Sequence, residues 1–232
     1  MELLFYVIAG LGLLTVFGRI AKRTLSNFGY GSFRSYKLSK GEIGEERVYN
    51  AIESAALTNI HILRNVYLRK DDGTTTEIDI LVICQKGILV FEVKNYGGKV
   101  YGRSDKKEWK QYFPKSPKAF PLYNPIWQNH GHIKAIKKII PFNIDIRYFS
   151  VILFNDYCGL HITKYNIDPK TIIISYIGQT KSILYSINDG DFPDCLSSAQ
   201  VDEIKDIIVS NQASEEEIWN HIKNIDKIKN AQ

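Results

Sequence analysis

Two acids and a lysine stand in a hairpin that has little room for charge. The run Glu77-Ile78-Asp79-Ile80-Leu81-Val82-Ile83 is followed, after the turn signal Gln85-Lys86-Gly87, by Ile88-Leu89-Val90-Phe91-Glu92-Val93-Lys94. Both runs are apolar on both faces, as interior strands are, and a charge buried there is costly without a partner. A two-residue turn at Gln85-Lys86 sets Asp79 opposite Glu92 and Glu77 opposite Lys94, whereas a two-residue shift sets Asp79 opposite Lys94 and leaves Glu92 diagonal. Either register keeps Asp79, Glu92 and Lys94 on one face, because side chains alternate with period two. Directly opposed carboxylates have Cβ atoms about 4.5–5.5 Å apart and repel unless something positive sits between them. A divalent cation would serve, and carboxylate oxygens suit Mg²⁺ or Mn²⁺, which keep waters for chemistry. Lys94, on the same face as Glu92, can orient an attacking water or stabilise charge on a phosphate. These are the ingredients of phosphodiester hydrolysis. The alternative is a solvent-facing cluster of cross-strand ion pairs, against which the apolar faces argue.

The surrounding pattern supplies elements to hold this hairpin. Gly44, Val48, Ala51, Ile52 and Ala55 recur at helical spacing, with Glu42, Glu45 and Glu46 in the first turn, where the helix dipole favours acids. Strands are expected over His61–Leu68, Glu77–Cys84 and Gly87–Asn95, with turns at Asp71-Asp72-Gly73 and Gln85-Lys86-Gly87. Gly97-Gly98 turns into Lys99–Gly102, and the polar, proline-bearing stretch Ser104–Pro121 reads as irregular. Asn124-Pro125 opens a helix that Pro141 stops, and Tyr148–Phe154 and Thr171–Tyr176 are β-branched and aromatic enough to be buried strands. Two amphipathic helices follow, Ser197–Asn211 and Ser214–Lys229, the second opened by a capping box of Ser214 and Glu217.

Bulk properties bound the setting. A net charge of +5 with a pI near 8.9 permits a polyanionic or anionic-lipid partner without requiring one. The three cysteines, Cys84, Cys158 and Cys195, form no disulfide framework, which fits a reducing compartment. His130 and His132, two apart on a helix, point away from each other, so no zinc site is expected. Leu3 to Gly18 carries no charge, and Arg19, Lys22 and Arg23 follow it. Sixteen residues make roughly 24 Å of helix, a little under the ~30 Å hydrocarbon core, so a span needs local thinning or snorkelling. Bases after rather than before the apolar run argue for an uncleaved anchor, with the rest of the chain in the cytoplasm. A buried helix of a soluble protein is the alternative.

The wider pattern resembles a known family. Gly41-Glu42-Ile43-Gly44-Glu45, then Glu77-Ile78-Asp79, then Gly87-Ile88 leading into Phe91-Glu92-Val93-Lys94-Asn95-Tyr96-Gly97-Gly98, then Trp109, and Asn124-Pro125 with Gln128 together resemble the nuclease-related domain. Asp79, twelve intervening residues, then Glu92-Val93-Lys94 is similar to the D-x(n)-E-x-K signature of the PD-(D/E)XK nuclease superfamily, with Ile78 where the named proline often stands. The resemblance spans about Lys40 to Phe154. It implies an α/β fold with a restriction-endonuclease-like central mixed sheet flanked by helices. To this the chain adds an anchor (1–24), a juxtamembrane linker (25–39) and, after the nuclease-related domain (40–155), an extension (156–232) of two strands or loops and then helices. It also implies a further acid from the first helix, Glu45 by its position one turn before Val48, with Glu42 the alternate. Gln128 matches a polar position of the family that would orient water or contact phosphate.

Basic and aromatic residues interleave downstream of Lys94. Lys99, Arg103, Lys107 and Trp109 are the expected nucleic-acid contacts, neutralising phosphates and stacking on bases. A merely solvated surface is the plainer reading of the same residues. The expected activity is membrane-anchored hydrolysis of DNA, with RNA as an alternative substrate, by Mg²⁺ or Mn²⁺ on Asp79 and Glu92, with Lys94 as electrostatic catalyst. The other reading is a non-cleaving nucleic-acid-binding or scaffold module at the membrane.

Overall fold

The hairpin forms in the first of the two expected registers. In the computed structural model, which describes residues 38–141 and 144–230, β2 (Thr75–Cys84) pairs antiparallel with β3 (Gly87–Lys94) from Cys84↔Gly87 to Ile80↔Phe91. The expected anchor and nearly all of the linker lie outside the described residues, among which no helix is long and apolar enough to cross a membrane.

Around this hairpin a five-stranded sheet runs in the order β1-β2-β3-β7-β9, with β1 at His61–Arg69, β7 at Tyr148–Phe154 and β9 at Ile172–Tyr176. The first two pairings are antiparallel and the last two parallel, so the sheet is mixed. Its central strands are apolar on both faces because both faces are covered. On one side α1 (Lys40–Glu53) and α3 (Thr180–Asn188) pack Val48, Ile52, Ile183, Leu184 and Ile187 against Ile80, Val82, Leu89, Phe91 and Val151. On the other, α2 (Pro125–Ile139) and α4 (Ser198–Ser210) pack Ala135, Ile136, Val201, Ile204 and Ile208 against Ile78, Leu81, Ile83, Ile88 and Val90.

A second sheet was not foreseen. The stretch expected to be irregular contains β5 (Glu108–Tyr112) and β6 (Ala119–Tyr123), which join β4 (Lys99–Arg103) and β8 (Gly159–Thr163) in the order β6-β5-β4-β8. β4 and β8 are parallel, as β3 and β7 are, so two neighbouring strands of the main sheet each lead into neighbouring strands of the smaller one. Trp109 is 1% exposed and lies in a third core cluster with Val100, Leu122, Ile152 and Phe154. A Cβ on Gly102 would come within 2.3 Å of the Trp109 ring, so the indole fits only over a glycine.

Residues beyond 155 are built into both sheets. β8 is an edge of one, β9 an edge of the other, and α3 and α4 cover opposite faces of the main sheet. The helix α3 was not anticipated. The last helix, α5 (Glu215–Asn230), is docked at its start by Arg69, whose Nε and Nη2 donate to the Glu217 carboxylate at 2.5 Å each, and by the Ala213 N–H, which donates to the Tyr67 carbonyl at 2.8 Å.

Candidate active site

The charges gather where β2 and β3 part. Their ladder ends at Ile80↔Phe91, and the β1–β2 ladder skips the pair Asn65 and Asp79. Asn65 takes a φ of 49°, a left-handed conformation that asparagine tolerates better than most residues. The strand turns over at this break. Ile80 packs with the α1 side and Ile78 with the α2 side, although residues two apart on a regular strand share a face. Asp79 therefore sits in a kink rather than on a plain period-two face. Its Oδ2 accepts the Val93 N–H at 2.8 Å, occupying the β3 backbone donor beyond the last ladder pair.

Glu92 and Lys94 keep the expected shared face, toward α2. Lys94 Nζ lies 2.6 Å from Glu92 Oε1 and donates to Gln128 Oε1 at 3.0 Å. The other carboxylate oxygen, Oε2, is 3.0 Å from His132 Nε2, and His132 Nδ1 is 2.9 Å from the Thr76 hydroxyl. The arrangement that satisfies every group has Nε2–H donating to Glu92 and Nδ1 accepting from Thr76. The side chains of Glu92 and His132 are each 2% exposed, so these bonds form away from water.

Helix α1 reaches this point because of Gly44. A Cβ there would lie 2.8 Å from Cβ of Asn95 and 3.2 Å from Cγ1 of Val93, so the helix lies directly on the end of β3 and carries Glu45 with it. Glu42, the alternate acid, closes the capping box with Ser39, and its Oε2 accepts the Ser39 N–H at 2.8 Å.

The electrostatics follow from this crowding. Burial pushes the Asp79 carboxyl well above the usual carboxylate range, the charges of Glu92 and then Glu45 push it further, and Lys94 and the Val93 N–H only partly oppose them. Burial works against ionised Glu92 too, but Lys94 and His132 outweigh it and hold that carboxyl below its ordinary value. Burial would lower Lys94, yet Glu92, Tyr96 and Asp79 raise it above the ordinary lysine value. Lys94 thus stays an ammonium at neutral pH and acts as a charge, not as a base.

Do these residues fit a metal? Among the described residues no three His, Cys, Asp or Glu side chains form a ready cage for one. A hard cation that takes one or two carboxylates and keeps its waters does not need a cage. Three acids, Asp79, Glu92 and Glu45, crowd around one ammonium, Lys94, and the charges of Glu92 and Glu45 add to burial in disfavouring ionisation of the partly exposed Asp79 carboxyl. That excess of negative charge fits a divalent ion at Asp79 and Glu92.

The structure brings together five expected residues, Glu45, Asp79, Glu92, Lys94 and Gln128, and sets the four expected nucleic-acid contacts apart from them. Lys99 and Lys107 are exposed on and after β4. Arg103 is exposed but held by Asp105, its Nε and Nη2 donating at 3.0 and 2.9 Å. Trp109, expected to stack on bases, is instead a core residue whose indole N–H donates to the Arg103 carbonyl at 2.8 Å. Its ring faces inward because odd and even positions of β5 point to opposite sides. His132 and Thr76 were missed. A signal existed for His132, which follows Gln128 by one helical turn and so shares its face.

A mixed sheet covered by helices on both faces, with two acids and a lysine at the parting of its central strands, is consistent with an α/β protein of restriction-endonuclease-like fold. Residues 40–155 match the family described as the nuclease-related domain, so this chain belongs to that family, within the PD-(D/E)XK-like nuclease superfamily. The chain is also similar to an uncharacterized protein of Bacillus anthracis, with 31% identity over 150 residues, 65% of this chain and 68% of the relative. No solved structure matches it.

Proposed function

We propose that this chain hydrolyses DNA phosphodiester bonds with the help of Mg²⁺ or Mn²⁺ at Asp79 and Glu92, and that residues 3–18 anchor it in a membrane with the nuclease-related domain in the cytoplasm. The observation that carries the catalytic reading is the lysine ammonium held between Glu92 and Gln128 where Asp79 breaks the strand ladders. When bound, the ion would supply Lewis acidity and a water of lowered pKa. The chain's own residues do the rest. Lys94, fixed by two contacts, presents a preorganised positive charge to a phosphate gaining negative charge. Gln128 accepts from Lys94 through Oε1, which leaves its amide N–H groups to orient water or phosphate. His132 and Thr76 fix the rotamer of Glu92 from behind, so they position and do not touch substrate.

Metal binding is tested by thermal melting. Millimolar Mg²⁺ or Mn²⁺ should raise the Tm of the wild type by mass action and leave Asp79→Ala unmoved. The pH dependence has a definite sign. Asp79 is raised in the folded state, so its contribution is fully present below the ordinary carboxylate pKa of about 3.9 and is lost as pH rises through its own higher value. The metal competes with that proton, so the Tm increment should grow across the same interval. An increment equal in wild type and Asp79→Ala would place the ion elsewhere.

The anchor is tested by fractionation. The full-length protein should stay with membranes through a carbonate wash, and deletion of residues 3–18 should release it. Full-length protein in the soluble fraction would overturn the anchor and leave the catalytic reading intact.

A further inference from the structure

The four-stranded sheet turns one face to the core and the other to solvent. Val100, Trp109 and Leu122 are buried on its inner face. The pairs Lys99↔Tyr112, Tyr101↔Lys110, Tyr101↔His161 and Glu108↔Tyr123 belong to the opposite, outer face, since cross-strand partners share a side. Tyr101 is 42% exposed there and Tyr123 is 47% exposed. Tyr101 lies flat against His161, with ring centroids 4.4 Å apart and planes 7° apart, and meets Tyr112 edge-on at 5.4 Å. A continuous aromatic surface thus crosses β8, β4 and β5 in water. Exposed Lys99 and Lys110 flank it, neither in an ion pair among the described residues, while Glu108 is the one acid among the strand residues of that face.

Exposed rings bordered by unpaired cations suit a partner with flat apolar faces on an anionic backbone. A duplex hides its base faces in the stack, whereas an unpaired strand offers them. We propose that the outer face of the β6-β5-β4-β8 sheet binds single-stranded nucleic acid, with bases stacking on Tyr101, His161, Tyr112 and Tyr123 and phosphates meeting Lys99 and Lys110. The platform is joined to the candidate active site, because the chain passes from Lys94, the last residue of β3, through Tyr96 into β4, and Lys94 Nζ lies 5.8 Å from the Tyr96 ring centroid. It rests on the nuclease reading for the choice of nucleic acid as partner, and it adds the strandedness of what is bound.

Fluorescence anisotropy of the full chain in EDTA tests this without cleavage, using labelled oligothymidylate, labelled oligouridylate and a hairpin duplex of equal length at fixed salt. The single strands should bind more tightly than the duplex. Tyr101→Ala should weaken single-strand binding by roughly ten-fold or more, as loss of a stacked base does, and Tyr101→Phe, which keeps the ring, should restore it. The double variant Lys99→Glu/Lys110→Glu should weaken binding and flatten its salt dependence, and it carries the test should Tyr101→Ala not fold. Equal affinity for duplex and single strand, or full affinity in Tyr101→Ala, overturns the platform. No binding of any oligonucleotide also overturns it and leaves the face to a protein partner. Tight single-strand binding by a wild type that never cuts in Mg²⁺ or Mn²⁺ supports the platform while overturning the nuclease reading. Cleavage by a wild type whose binding ignores Tyr101 sinks the platform alone.

Discussion

Lys94→Ala is expected to lower DNA cleavage by about 10²- to 10³-fold, the usual cost of removing one preorganised charge that acts on the transition state. Its Nζ is held 2.6 Å from Glu92 and 3.0 Å from Gln128, so the wild-type charge needs no reorganisation when the phosphate arrives. DNA affinity should change far less, because one phosphate contact among several is a small part of binding. The paired measurement is cleavage in Mg²⁺ and a binding isotherm in Ca²⁺ at fixed salt, with melting curves to show that the variant is folded. Glu92 keeps His132 as a partner in this variant, which limits the damage to the fold. Undiminished cleavage would remove Lys94 from the mechanism. A wild type that binds and never cuts would favour a non-cleaving module on the same fold.

The second large effect is on stability. Glu92→Ala should cost about 3–5 kcal/mol at neutral pH, because it strips the partner from a buried lysine and a buried histidine together. Burial opposes the Glu92 charge, but Lys94 and His132 overcome it, so the carboxyl titrates below its ordinary value. A depressed acid stabilises the fold above its unfolded pKa, about 4.3 for glutamate, and loses that contribution as pH falls through the lower folded value. The gap between wild type and Glu92→Ala should therefore be full at pH 7 and shrink in acid. Urea denaturation at both pH values measures it. A cost under about 1 kcal/mol, as exposed pairs give, would mean that the Glu92 contacts do not hold in solution.

Several features were legible because they are local. The turn at Gln85-Lys86 determines register over the whole hairpin, and a period of two then sends Glu92 and Lys94 to one side. Strands buried on both faces announce themselves as unbroken apolar runs, as β2, β3 and β7 do. Helix α1 was marked by its spaced apolar residues and by Gly44, whose close approach to Asn95 explains the glycine. The resemblance to the nuclease-related domain drew on these same local runs, and the family match falls on the same residues, 40–155.

Other features depend on partners distant in the chain. β5 and β6 carry few inward apolar residues, among them Trp109 and Leu122, so they read as loop until they pair with each other and β5 pairs with β4. A tryptophan among lysines suggests a stacking surface, and only the pleat shows that Trp109 faces inward over Gly102 while Tyr101 and Tyr123 face out. His132 meets Glu92 across forty residues of chain through the packing of α2 on the sheet, a contact that no spacing within either element encodes. The break at Asn65 and Asp79 arises where the β1–β2 ladder skips that pair and the β2–β3 ladder ends beside it at Ile80↔Phe91. By itself the sequence determined which residues carry charge in the hairpin and that Glu92 and Lys94 share a strand face, because alternation and turn geometry act over a few residues. Tertiary structure alone decided that Asp79 turns into a kink, that His132 and Gln128 close on Glu92 and Lys94, and that an aromatic sheet face is left in water. These depend on how helices and a second sheet pack, and packing is a property of the whole fold.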